Sequence, residues 1–88
     1  MWTVKLSKQA ADFLDAHGGK TVAQLEHGLQ VLSKDPYVGK SLKGELRGYS
    51  SLRVGTYRII YLIQKQEVVV EVLRIHHRKE VYEKLRRL

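Results

Sequence analysis

The sequence has 88 residues, which is enough for one domain with a small hydrophobic core. It contains no cysteine, which excludes disulfide bonds and thiolate chemistry. Its 16 lysines and arginines against nine acidic residues give a net charge of +7, and the excess falls in two blocks, residues 34–58 and residues 74–88. A scattered charge would serve solubility equally well, so this segregation predicts a surface that binds a polyanion.

The first half of the chain predicts one strand followed by two helices. Residues 2–6 alternate apolar and polar side chains, which is typical of a half-buried strand. Ser7 is a suitable N-cap for a first helix, and Gly18-Gly19 ends that helix. A second helix is predicted over residues 21–34, where the apolar side chains share one stripe, and Asp35-Pro36 ends it.

The second half predicts strands and a terminal helix. Residues 36–48 are basic and rich in glycine, which predicts a loop, and three β-rich segments follow at residues 50–54, 56–63 and 68–75. Residues 80–88 predict a short helix with three apolar residues at helical spacing: Val81, Leu85 and Leu88. The order predicts a single α+β domain over residues 1–88, with a small antiparallel sheet and two N-terminal helices packed on one face.

Nothing in the sequence predicts contact with a membrane. No apolar run approaches the length of a membrane-spanning helix, and the first residues lack the apolar stretch of a signal peptide. Together with the missing cysteines, this predicts a cytoplasmic protein.

Gly55-Thr56 suits a two-residue type II′ turn, which takes glycine at its first central position. In that register Arg53 is paired with Arg58, and side chains at paired positions lie about 5 Å apart. Two like charges there are destabilising unless they share an anion, and planar guanidinium groups match the oxygens of a phosphate. The alternative is a solvated pair, or ion pairs with Glu71 or Glu45. The same register turns seven apolar residues toward the helices: Leu52, Val54, Ile59, Ile63, Val68, Val70 and Val72.

Residues 74–82 are dense in groups that transfer protons or neutralise charge. Cleavage of RNA through its own 2′-hydroxyl needs a base, an acid and a cation that stabilises the phosphorane. His76 or His77 can fill either proton-transfer role, whereas Tyr82 can do so only beside cations. The acidic residues are not spaced around the histidines as metal ligands, so we predict neither a metal nor another cofactor. The alternative is that the histidines connect a strand to a helix and that Tyr82 is a core residue.

Three motifs resemble the toxins of the RelE/ParE superfamily. Residues 52–61 (LRVGTYRIIY) resemble the family core LR.G.YR..Y, and residues 69–82 resemble the ending V.RIGHR.EVY of RelE-type members. Residues 42–49 (LKGELRGY) resemble the approach to the second strand. The resemblance implies a fold like that of microbial ribonucleases, ribosome-dependent cleavage of messenger RNA, and inhibition by a small antitoxin. Contact with operator DNA would occur only through that antitoxin.

The resemblance also implies roles for individual residues. Arg58 matches the strand arginine that binds the scissile phosphate, and Arg53 matches a neighbouring cation of the cleft. Arg78 matches the arginine after the last strand, Tyr82 matches the tyrosine near the 2′-hydroxyl, and His77 is a further candidate for proton transfer. Five other cations would hold RNA phosphates: Lys40, Lys43, Arg47, Arg74 and Lys79.

The chain departs from well-studied RelE members in the strand before the turn. Those members carry lysines where this chain has Tyr49-Ser50-Ser51. Arg47, Lys43 or a histidine would take over their role, or cleavage is slower or absent. Two rival functions therefore stay open: a DNA gyrase poison of the ParE type, against which the Glu-Val-Tyr ending argues, and a degenerate member that only binds its antitoxin.

Overall fold

A computed structural model describes residues 1–77 of the chain. The N-terminal elements are β1 (Thr3–Leu6), α1 (Lys8–Ala16) and α2 (Gly19–Lys34). The later strands are β2 (Lys40–Ser41), β3 (Ser50–Val54), β4 (Tyr57–Gln64) and β5 (Val69–His77). The predicted α+β class is confirmed, and the predicted C-terminal helix lies outside the described residues.

Both helices begin close to the predicted positions. Ser7 caps α1 as expected, because its Oγ accepts a hydrogen bond from the backbone N–H of Ala10 at 3.1 Å. The hydroxyl of Ser7 also donates to the carbonyl of Leu73 at 2.6 Å, so the cap is tied to β5. The α2 helix begins at Gly19, two residues before the predicted start, and a φ of +58° at this glycine makes the turn between the helices.

The sheet has five strands in the order β1-β5-β4-β3-β2. The pairs from β2 to β5 are antiparallel, but β1 is parallel to β5, with Thr3 in register with Val69. The sheet is therefore mixed, which corrects the antiparallel sheet expected from the sequence. A parallel pair needs a long crossover, and the segment between β1 and β5 supplies one that contains both helices.

The main core lies between the helices and one face of the sheet. Its fully buried side chains come from both layers: Ala10, Leu25, Leu32, Ile59, Tyr61, Val70, Val72 and Ile75. Six of the seven apolar residues predicted for this face belong to the core or pack against it. The prediction was wrong for Val68, which is 45% exposed. Val68 ends the hairpin loop in the left-handed region, with a φ of +56°, and its carbonyl accepts from the N–H of Thr3.

The segment at residues 36–48 contains more structure than the predicted loop. It forms 3-10 turns at Pro36–Val38 and Gly44–Leu46, with β2 between them. Leu46 packs on Ile60 on the sheet face opposite the helices, together with Leu42 and Tyr49. This small second cluster covers part of that face. No helix within residues 1–77 is long and apolar enough to cross a membrane.

Candidate functional site

The turn between β3 and β4 brings two arginines into register. Arg53 pairs with Arg58 and Val54 pairs with Tyr57 across Gly55-Thr56, as the sequence predicted. Gly55 has a φ of +60°, and Thr56 is not among the described residues with positive φ, which is the pattern of a type II′ turn. Because Tyr57 packs against the helix-side core, Arg53 and Arg58 belong to the other face of the sheet.

The two arginines differ in their surroundings. Arg53 is exposed, and its Nε donates to the carbonyl of Gly55 at 3.4 Å. Arg58 is half-buried, and its Nη1 donates to the hydroxyl of Ser51 at 3.3 Å. Glu71, one of the acids that the alternative reading would pair with them, accepts a hydrogen bond from Gln64. Arg53 therefore offers a guanidinium group to solvent beside the partly sheltered group of Arg58.

A bulge in β5 adds two further residues to this face. The register shifts between Ile60 and Tyr61, so Tyr61 pairs with Val72 but Ile60 pairs with Arg74. Without the extra residue, Arg74 would pair with Ile59 and face the core. Because of the bulge, Ile75 lies in the core, and Arg74 and His76 occupy strand positions that belong to the open face.

The pairing defines two neighbouring rows across the open face. One row contains Arg53, Arg58 and His76. The other row contains Lys40, Ser51, Ile60 and Arg74. Four cations from four strands thus share one small region of the sheet, which we call the cationic rows. The sequence reasoning had named all four, but only the Arg53–Arg58 pairing was predictable from a local turn.

Arg74 is a partly buried cation of the open face. It is half-buried, and its Nε is buried without a hydrogen-bond acceptor among residues 1–77. A buried donor with no acceptor costs roughly 1–3 kcal/mol, and more for a charged group. An anion bound to the cationic rows would offset that cost, which is the behaviour expected of a binding residue.

The two histidines after Arg74 have different environments. His77 is exposed and pairs with Tyr57, and the centroids of the two rings lie 6.0 Å apart. His77 therefore belongs to the sheet face that packs against the helices. His76 is buried and pairs with Arg58. The Nε2 atom of its ring lies 3.3 Å from Nε2 of Gln9. The structure therefore brings His76, rather than the predicted His77, into register with the arginines. Sequence reasoning missed this because the bulge reverses the alternation just before the histidines.

The remaining predicted residues border the site or lie outside the described part. Lys43 and Arg47 are exposed and flank the 3-10 turn that covers Ile60. Lys40 is exposed on β2 and pairs with Ser51, so a lysine reaches this row from the neighbouring strand. Three predicted residues lie outside the described range: Arg78, Lys79 and Tyr82. Within residues 1–77 no three potential ligands cluster in a way that would hold a metal ion.

Residues 4–82 match the family model of the ParE toxin of the type II toxin–antitoxin system. The chain belongs to this toxin family. It is 43% identical over 61 residues to Toxin RelG of Mycobacterium tuberculosis, a match that covers 68% of this chain and 70% of RelG.

Solved structures agree with this assignment. The toxin resembles a chain of the toxin–antitoxin complex RelBE2 from Mycobacterium tuberculosis, with a TM-score of 0.79 and 35% identity, covering 86% of this toxin and 96% of that chain. The isolated RelE toxin of E. coli has the same fold, with a TM-score of 0.76 at 21% identity over 97% of this toxin and 95% of that chain. The resemblance to the RelE/ParE superfamily is confirmed.

Proposed function

We propose that this toxin is an endoribonuclease that cleaves messenger RNA bound to the ribosome. The observation that carries the proposal is the pair of cationic rows, in which Arg53 and Arg58 are in register and Arg74 keeps a buried guanidinium nitrogen without an acceptor among residues 1–77. Guanidinium groups bind the non-bridging oxygens of a phosphate and stabilise the additional negative charge of a phosphorane.

In the proposed reaction the 2′-hydroxyl of the RNA attacks the adjacent phosphate, and the 5′ oxygen of the next nucleotide leaves. Arg53, Arg58 and Arg78 bind the phosphate and neutralise its charge. Tyr82 and a histidine transfer the protons, and the geometry favours His76 over His77 because His76 is in register with Arg58. The mechanism as proposed uses side chains alone and no metal.

The other cations would bind phosphates of ribosomal RNA, which position the toxin without reading sequence. Two of them, Lys40 and Arg74, belong to the cationic rows, and two more, Lys43 and Arg47, flank the adjoining 3-10 turn. The fifth, Lys79, lies outside the described residues. The absence of lysines at Tyr49-Ser50-Ser51 is offset in part by Lys40, which pairs with Ser51. These contacts would operate in the cytoplasm, where ribosomes are.

A cognate antitoxin is proposed as the partner that holds the toxin inactive. The support is that similar structures, from Mycobacterium tuberculosis and E. coli, were solved as toxin–antitoxin complexes. Operator DNA would be reached only through that antitoxin.

The second candidate function is a gyrase poison, which the resemblance to ParE toxins implies and for which the match to the ParE toxin family model is the support. Expression of the toxin with mapping of messenger 5′ ends separates the two. New 5′ ends within codons support the ribonuclease, whereas an SOS response with intact messages supports the gyrase poison. If neither response is observed, the toxin is a degenerate member that only binds its antitoxin. Arg58→Ala is the matched control, since it should remove the new 5′ ends without unfolding the toxin.

A further inference from the structure

The end of β5 that carries His76 is covered by a helix rather than by a strand. The β1 strand pairs with β5 only from Val69 to Val72. Beyond that point Gln9 of α1 takes the place of a strand: the N–H of Ile75 donates to Oε1 of Gln9 at 2.9 Å, and Nε2 of Gln9 donates to the carbonyl of Ile75 at 3.0 Å. Both backbone groups of one residue are thus satisfied by one side chain.

These two hydrogen bonds determine which end of the amide is oxygen and which is nitrogen. The reverse orientation would set the amide nitrogen of Gln9 against the N–H of Ile75 and its oxygen against the Ile75 carbonyl, and both contacts would be repulsive. The orientation is therefore assigned by the backbone of β5 and not by the histidine.

The fixed amide in turn specifies the state of the neighbouring ring. Nε2 of Gln9 lies 3.3 Å from Nε2 of His76, and an amide nitrogen can only donate. His76 must accept at Nε2, so its proton lies on Nδ1 and the ring is neutral. His76 is 7% exposed and pairs with Arg58, so few other orientations of the ring are open to it.

We infer that Gln9 is a positioning residue of the site, which fixes the ring orientation of His76 and holds it in the neutral tautomer with its proton on Nδ1. Nδ1–H is then the one donor of the ring. A protonated ring would add a positive charge beside the strand position of Arg58, with which His76 is in register, and the neutral ring adds a hydrogen-bond donor without that repulsion. The catalytic meaning of this arrangement rests on the proposed function, but the tautomer itself does not.

The tautomer can be read directly by NMR on the full-length toxin with ¹⁵N-labelled histidine. Two-bond ¹H–¹⁵N correlations distinguish a ring nitrogen that carries a proton from one that does not, and a His76→Asn variant identifies the His76 signals among those of the four histidines. We expect Nε2 of His76 to be unprotonated. In Gln9→Glu the carboxylate can accept from Ile75 but cannot donate to the ring, so Nε2 of His76 should carry a proton, either in the other neutral tautomer or in a protonated ring.

Gln30→Glu is the matched control, because Gln30 is an exposed glutamine on α2 whose replacement adds the same charge. It should leave the His76 signals unchanged. Gln9→Ala is the second variant, and it should leave His76 as a mixture of tautomers if the helix still packs. A protonated Nε2 in the unmodified toxin, or the same tautomer in all variants, would overturn the inference.

Cleavage of ribosome-bound messenger provides the second readout. Gln9→Glu should lower the cleavage rate by about 10-fold or more, by comparison with the loss of groups that orient metal-binding histidines. If the tautomer behaves as expected but the unmodified toxin cleaves no RNA, the proposed function fails and the positioning role stands. If the toxin cleaves RNA and Gln9→Glu cleaves equally well despite a changed tautomer, Gln9 is structural only.

Discussion

At the residue scale, Arg58 and Ile59 allow function to be separated from stability, because consecutive strand residues point to opposite faces. Ile59 is fully buried in the main core, whereas Arg58 is half-buried on the open face. Ile59→Ala should destabilise the toxin by roughly 2–5 kcal/mol, as loss of buried methyl groups does. Arg58→Ala should abolish growth inhibition and leave the thermal midpoint nearly unchanged.

The two variants are compared by growth after induction and by thermal unfolding of the purified proteins. Arg53→Ala, at the exposed member of the pair, is a second variant that should retain the fold. If Arg58→Ala lowered the midpoint as much as Ile59→Ala does, Arg58 would be a structural residue and the phosphate site would lose its main support.

Tyr61 is a buried polar residue whose effect depends on pH. Its hydroxyl donates to the carbonyl of Pro36 at 2.6 Å, and a side chain at Gly39 would overlap it. Burial raises the pKa of Tyr61; the backbone of Gly39 lowers it by less, and the charge of Asp35 has a still smaller raising effect. The folded state therefore favours the neutral phenol, and this contribution to stability is present below the ordinary pKa of about 10 and lost as pH rises through the raised value.

Tyr61→Phe should remove part of the alkaline loss of stability. At neutral pH it should cost about 1–3 kcal/mol, because the carbonyl of Pro36 loses its donor in a buried position. Urea unfolding of both proteins between about pH 7 and pH 11 measures the difference, which should shrink as pH rises. Tyr37→Phe, at an exposed tyrosine, should leave the whole profile unchanged. A constant difference across the range would show that ionisation of Tyr61 is not coupled to unfolding.

At the scale of elements, local signals predicted most of the fold. The helix cap at Ser7 and the turn at Gly55-Thr56 depend on neighbouring residues alone, and the sequence predicted both. The two-residue strand at Lys40–Ser41 is too short to have a periodic pattern, so the sequence predicts a loop there. The bulge is visible in the structure, where the fully buried residues of β5 change from even positions, Val70 and Val72, to an odd one, Ile75.

The pairing of Gln9 with Ile75 could not be predicted in the same way. The two residues are 66 positions apart, and neither has a neighbour that marks the contact. It depends on where β1 stops and on how α1 crosses β5, which are properties of the packed sheet. For this reason the sequence predicted the arginines of the candidate site but not which histidine is in register with Arg58.

Gly28 allows α2 to pack closely on the sheet. A Cβ atom at this position would lie 2.8 Å from Cγ2 of Val54 and 3.3 Å from Cδ1 of Ile59. Gly28→Ala would gain about 1 kcal/mol of helix propensity, but overpacking costs about 1–3 kcal/mol, and the β-branched Val54 has little freedom to move aside. We expect a net loss of stability in urea unfolding.

The matched variant is Gly28→Ala combined with Val54→Ala. The double variant should be more stable than Val54→Ala alone, because the new methyl group fills space that the valine vacates. If Gly28→Ala by itself stabilised the toxin, α2 would have room to shift and its close approach to β3 would not be a constraint.

At the scale of the whole molecule, the net charge of +7 has a consequence for binding that can be measured. If roughly six to ten cations contact phosphates, the affinity for ribosomes should fall by about three to five orders of magnitude between about 50 and 200 mM salt, by comparison with duplex DNA. Single strands give a shallower slope per contact than duplex DNA, so single-stranded segments of the RNA should lower the salt dependence.

Single substitutions identify which cations contribute to that dependence. Lys40→Gln, in the cationic rows, should weaken ribosome binding and reduce the slope of log affinity against log salt by about one. Lys20→Gln removes the same charge from an exposed position at the start of α2 and should leave the slope unchanged. Equal effects of both variants would mean that the total charge attracts RNA without a defined face. A salt-insensitive interaction would mean that the charge serves solubility alone, and a protein target such as gyrase would then explain toxicity better than cleavage of ribosome-bound RNA.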